Sequence, residues 1–245
     1  MNKPDQKTGK TPVTQDTATQ DEVDQFLSRV RESPPPVPRG DGRGRLIFAI
    51  DATASRQPTW DQAAQLQADM FTQTRGIGAL DVQLVYYRGY HECRASPFVN
   101  SSATLLRLMQ KIRCEAGTTQ ITRVLEHISA ECRRQPVQAA VFIGDCVEEA
   151  PDRLYELAGR LRLLNTPVFL FQEGRRRDAA TVFGEIARLS GGAHCRFDAG
   201  AARQLGELLN AVAAYATGGR EALQRLLNDD HAGARQLLRA LPDSL

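Results

Sequence analysis

From residue 45 onward the chain alternates between solid apolar runs and segments of helical periodicity. Leu46-Ile-Phe-Ala-Ile50 is continuous in apolar residues, the pattern of a strand buried on both faces. Leu80-Asp-Val-Gln-Leu-Val-Tyr-Tyr87, Val137-Gln-Ala-Ala-Val-Phe-Ile143 and Pro167-Val-Phe-Leu-Phe171 read the same way. Residues 93–98 predict a short strand after a turn at Gly89, and Pro97 places it at a sheet edge, where a missing N–H breaks no ladder. Another short strand is predicted at 193–197. Between these runs the apolar spacing predicts helices at 58–75, 101–112, 121–134, 151–163, 178–189 and 201–216. The first has Trp60, Ala63, Ala64, Leu66, Met70 and Phe71 inward and Pro58 in its first turn. Strands alternating with helices predict an α/β fold: a doubly wound, mostly parallel six-stranded sheet, helices on both faces, one antiparallel edge strand. No internal repeat is visible.

The ends differ from this body. Residues 1–44 read as an N-terminal arm, with a polar, disordered start. A short helix over 20–31 carries Val23, Phe26, Leu27 and Val30 at helical spacing, and a Pro/Gly linker follows. Pro35 to Pro38 reads as a spacer, with a Pro-x-x-Pro partner ligand as the alternative. The core domain is assigned to 45–217. The tail, 218–245, has Leu223, Leu226, Leu227, Leu237, Leu238 and Leu241 at helical intervals and predicts helices that dock on the domain or on a partner.

Composition narrows the functions. With 245 residues and 42% hydrophobic content, the chain can bury a core. A net charge of +2 gives no global attraction to nucleic acid or membrane, so neither is expected as a partner. No apolar stretch approaches the ~18 residues that span a bilayer. The start is polar, with no secretory signal pattern. The cysteines Cys93, Cys114, Cys132, Cys146 and Cys195 are odd in number and lack Cys-x-x-Cys spacing, which points to reduced thiols in a cytoplasmic protein.

Two polar clusters lie where chemistry is expected. In an open doubly wound sheet, ligands bind beyond the carboxyl ends of the strands, where strand order reverses. Asp51-Ala-Thr-Ala-Ser55 follows the first strand, and Gly144-Asp145 follows the strand at 137–143. If those strands are neighbours, the two aspartates approach one another. Facing carboxylates repel, and one keeps its proton unless a cation lies between them. Thr53 and Ser55 add neutral oxygens, and Ala52 and Ala54 let the loop fold tightly. An oxygen-only set without histidine or cysteine suits Mg²⁺, Mn²⁺ or Ca²⁺. Ala116-Gly-Thr-Thr119 offers a further hydroxyl before a helix whose inner face is Ile121, Val124, Leu125 and Ile128. The alternative for Asp51, Thr53 and Ser55 is a turn and helix cap, a role these residue types favour.

Strand-Asp51-x-Thr53-x-Ser55, then Gly117-Thr-Thr119 before a helix, then strand-Gly144-Asp145, resembles the metal-ion-dependent adhesion site of von Willebrand factor A (VWA) domains. The resemblance covers roughly residues 45 to 216. It implies a VWA/Rossmann-like fold and a metal held by Asp51, Thr53, Ser55, Thr119 and Asp145. Thr118 is the alternative to Thr119. Thr53 stands where the family more usually has serine, and its extra methyl alters metal affinity or geometry. The family further implies Mg²⁺-assisted binding of a protein partner, usually through an acidic residue of that partner.

Other polar features receive structural readings. Glu148 and Glu149, ahead of Pro151, read as helix-start charges, with an outer-shell role at the metal as the alternative. Arg175-Arg-Arg177 reads as a solvated loop, or as a rim that attracts an acidic partner. His91, His127, His194 and His231 show no ligand spacing. Tyr86, Tyr87 and Tyr90 read as packing or strand-end residues. The competing activity is a metal-dependent phosphatase or phosphotransferase with Asp51 as nucleophile. Haloacid-dehalogenase-type phosphatases need a second acid two residues on, where this chain has Thr53, and a catalytic lysine, absent after Lys111. No phosphate-binding glycine motif occurs at the first turn. The expectation is a non-enzymatic, divalent-metal-dependent protein-interaction module.

Overall fold

The structure is a computed structural model that describes residues 20–32, 43–57, 80–197, 211–213 and 215–217. The predicted helix at 58–75, most of that at 201–216, and the tail fall mainly or wholly outside the described residues.

The six strands are β1 (Gly44–Asp51), β2 (Leu80–Arg88), β3 (Glu92–Val99), β4 (Ala139–Gly144), β5 (Val168–Glu173) and β6 (His194–Phe197). They form one sheet in the order β3-β2-β1-β4-β5-β6. All neighbours pair in parallel except β2 and β3, so the antiparallel strand sits at the edge as predicted. The described helices are α1 (Gln20–Glu32), α2 (Ser102–Met109), α3 (Ile121–Arg134), α4 (Pro151–Leu163) and α5 (Arg177–Ser190). Residues 211–213 and 215–217 are also helical. The α2 helix stops short of the predicted 112, because Lys111 and Ile112 turn back through bonds to Leu108 and Met109 and bury Ile112.

The solid apolar runs follow from this layering. Every residue of β1, β4 and β5 is buried. Successive side chains of a strand point to opposite faces, so each strand feeds two cores. Leu46, Phe48 and Ile50 join Leu105, Met109, Val212 and Tyr215 on one face. Ile47 and Ala49 join the inner stripes of α3, α4 and α5 on the other.

The N-terminal arm contributes to the first core. Phe26, Leu27 and Val30 are buried, and the Phe26 ring lies 5.2 Å from that of Phe171 and 6.1 Å from that of Phe169. The α1 helix is therefore built into the sheet's cover, and a fold starting at residue 45 would expose β5 there. Phe26→Ala is expected to destabilise the chain by about 3–5 kcal/mol, the usual loss on truncating a buried phenylalanine, measured by urea unfolding. A change within ~0.5 kcal/mol would show α1 to be a loose appendage.

Candidate metal centre

The strand order reverses between β1 and β4, which both start from the middle of the sheet and lead in opposite directions. Their carboxyl ends deliver Asp51 and Gly144-Asp145 to the same crevice. Asp51 is fully buried and is the register partner of Tyr87 on β2. Its Oδ1 accepts a 2.7 Å bond from the Thr53 N–H and its Oδ2 a 2.8 Å bond from the buried Tyr87 hydroxyl. The carboxylate is thus held in one orientation from both sides. Thr53 is buried, Ser55 is exposed in the 3₁₀ turn Ala54–Arg56, and their hydroxyl oxygens lie 3.1 Å apart.

The loop before α3 is stitched to this segment. The Glu115 N–H donates to the Ala52 carbonyl at 3.0 Å, beside a bridge between Glu115 and Thr53. The Thr118 N–H donates to the Gly89 carbonyl at 3.3 Å. Gly117 makes this approach feasible, since a Cβ there would fall 1.9 Å from the Gly89 oxygen. Thr119 is buried and Thr118 exposed. Thr119 also clasps the loop after β4: its N–H donates to Glu148 Oε2 at 2.9 Å, and its Oγ1 accepts from the Glu148 N–H at 3.0 Å. The three segments singled out in the sequence therefore form one hydrogen-bonded bowl.

Glu149 does cap a helix, but not the expected one. Glu149 accepts from the N–H groups of Ile121 and Thr122 at 2.6 and 2.8 Å, so it caps α3 rather than the helix that begins at Pro151. Gln120, the residue at the N-cap of α3, makes no side-chain cap bond, and the loop after β4 fills the vacancy.

The crevice is electrostatically incomplete. One ligand atom each from Asp51, Asp145 and Cys146 lie within 4.8 Å of one another. Burial raises the Asp51 carboxyl above its ordinary value of 3.8, and Asp145 adds to the rise, against the opposing bonds from Thr53 and Tyr87. Burial, then the neighbouring carboxylates, push the Cys146 thiol up to about 12. Asp145 Oδ1 is buried without a hydrogen-bond partner among the described residues. An acceptor in that state costs about 1–3 kcal/mol unless water or a cation satisfies it. The donors thus fit a divalent ion, and the Cys146 sulfur lies in the same cluster as the two carboxylates.

Two residues at the site escaped the sequence reading. Tyr87 lies buried near the end of β2, as a packing or strand-end residue would, and its hydroxyl also orients Asp51. Arg56 is 1% exposed, its Nε bonded to Glu173 Oε2 at 2.9 Å. Its Nη1 reaches the carbonyls of Asp51 and Ile143 at 3.3 and 3.5 Å, tying the ends of β1 and β4 to β5. Arginine is seldom buried, so nothing in the sequence marks it except its place directly after Ser55. Arg175, Arg176 and Arg177, expected to be solvated, are exposed, and Arg176 pairs with Asp178. His127 and His194 bond to Gln83 and Gln172, in keeping with structural roles.

No protein-family model matches the chain, and no curated protein matches it in sequence. Solved structures do match the fold. A von Willebrand factor type A protein from Catenulispora acidiphila is 18% identical over 71% of this chain and 43% of that one, with a TM-score of 0.59. Proximal thread matrix protein 1 from the mussel byssus, with a zinc-occupied MIDAS motif, is 15% identical over 70% of this chain and 46% of that one, at 0.57. The SpRpn10 VWA domain is 10% identical over 68% of this chain and 94% of that one, at 0.51. The chain spans less than half the length of the first two. The class is settled by sheet order and these likenesses: this chain has the von Willebrand factor A fold.

Two outcomes follow. Glu149→Ala is expected to cost about 1–2 kcal/mol in chemical unfolding, the loss typical of a helix cap, and an unchanged midpoint would refute the capping role. For Asp51, the folded chain holds the carboxyl proton more tightly than the unfolded chain. Its contribution to stability is fullest below 3.8 and is lost as pH rises through the raised folded value. With chelator present, the melting temperature of wild type should therefore fall relative to Asp51→Asn as pH rises above about 4. Parallel curves would rule out a strained carboxylate.

Proposed function

We propose that this domain is a protein-interaction module that binds an acidic group of a partner through a divalent ion. The observation that carries the reading is the buried, unpartnered Asp145 Oδ1 beside Asp51 at the switch point. Asp51 and Asp145 would supply the charge, and the hydroxyls of Thr53, Ser55 and Thr119 the neutral oxygens. A bound divalent ion supplies Lewis acidity that a partner's carboxylate can complete.

The protein's own groups prepare that encounter. Tyr87 and the Thr53 N–H fix the Asp51 carboxylate before any ion arrives. Thr119 uses its hydroxyl as an acceptor toward Glu148 and keeps a second lone pair. Ser55 lies exposed at the mouth, where a partner can reach. The exposed arginines at 175–177 favour an acidic approach, with Arg176 held first by Asp178 and also in the field of Asp145. Mg²⁺ or Mn²⁺ suits the oxygen donors. We place the protein in the cytoplasm, where its five free thiols stay reduced. The phosphatase alternative lacks its second acid at Thr53 and a lysine after Lys111.

Mg²⁺ or Mn²⁺ at about 100 times its dissociation constant should raise the melting temperature by about 5 °C or more. Asp51→Ala should abolish the rise, and chelator should release partner proteins retained on the immobilised domain. Absence of any metal-dependent shift in wild type would sink the reading. Phosphoester hydrolysis lost in Asp51→Ala would replace it with the enzymatic one.

A further inference from the structure

We propose that Cys146 is a direct ligand at this centre and that its thiolate turns the site's preference from Mg²⁺ toward Zn²⁺. The inference rests on the metal reading above and identifies which ion the site is built to select.

Cys146 differs from the other cysteines in what surrounds it. Cys195 is buried in one core, and Cys114 packs against it. Cys93 and Cys132 pack against the other core, Cys132 with its sulfur 3.1 Å from the Thr166 hydroxyl. Each behaves as a small hydrophobe, the common fate of an unbridged cysteine. Cys146 belongs to neither core. It follows Asp145 directly, is half-buried, and its sulfur shares a 4.8 Å cluster with carboxylate oxygens of Asp51 and Asp145. A thiol among acceptors gains nothing from apolar packing there, whereas a cation gives all three groups a common partner.

The chemistry of the set separates the ions. Mg²⁺ demands near-octahedral oxygen ligands and keeps several waters. Zn²⁺ accepts thiolate and carboxylate together, and its open sites hold three protein ligands with a fourth position free. Asp51, Asp145 and Cys146 supply three. The fourth position is left for water or for the partner's carboxylate, so recognition is retained. On binding, a Zn–S bond forms, the S–H bond breaks, its proton passes to solvent, and no electron is transferred.

The test uses the full chain with metal ions alone as probes. Co²⁺ should give wild type a near-ultraviolet thiolate-to-cobalt charge-transfer band that is absent in Cys146→Ser. In competition with a zinc-chelating dye, Cys146→Ser should bind Zn²⁺ about 100-fold more weakly, at least the loss seen when an outer-shell partner is removed. Without any variant, Zn²⁺ but not Mg²⁺ should shield Cys146 from alkylation by N-ethylmaleimide, read by peptide mass. Equal Zn²⁺ affinity in both proteins, or equal alkylation with and without Zn²⁺, overturns the thiolate ligand. The aspartate site then still stands if Asp51→Ala loses the metal response. Failure of wild type to bind any divalent ion overturns both.

Discussion

Parallel hydrogen bonding between β1 and β4 brings two carboxylates out of the same edge of the sheet. The register pairs Ile50 with Ile143, so Asp51 and the Gly144-Asp145 turn emerge side by side. Like charges that close are costly in a dry crevice. The rest of the site is an answer to that constraint: Tyr87 and the Thr53 N–H take up both oxygens of Asp51, while Asp145 Oδ1 has no hydrogen-bond partner among the described residues.

Arg56 shows how the surrounding structure tolerates this arrangement. Its buried guanidinium pairs with Glu173 at the end of β5. A buried pair of this kind adds little net stability, since desolvation offsets the attraction. Its geometric consequence is larger. By also contacting the carbonyls of Asp51 and Ile143, it bundles three strand ends and limits how far the aspartates can separate.

The loops complete the bowl by exchanging caps. Glu149, from the loop after β4, satisfies the first turn of α3, and Thr119 and Glu148 bond reciprocally. A helix N-terminus, a threonine hydroxyl and the loop that carries the second aspartate are thereby held to one another by local hydrogen bonds. A change at Glu148 or Glu149 would therefore act on the ligand loop and on α3 together.

Much of this was legible in the chain itself. Apolar runs such as Leu46–Ile50 and Val141–Ile143 declare strands buried on both faces, because only a sheet covered twice leaves no polar alternation. The Pro97 segment declares its edge place because proline cannot serve an inner ladder. Asp51, Thr53, Ser55, Thr119 and Asp145 could be picked out because each follows a strand or precedes a helix, where side chains face the crevice. What the tertiary structure decided are contacts between segments distant in sequence: Tyr87 on Asp51, Arg56 on Glu173, Glu149 on α3, Phe26 in the core, and Cys146 among the carboxylates. Periodicity reports which face of an element is buried. It does not report which partner lies across the gap, because that depends on strand order and register, which fix distances only when the whole sheet has formed.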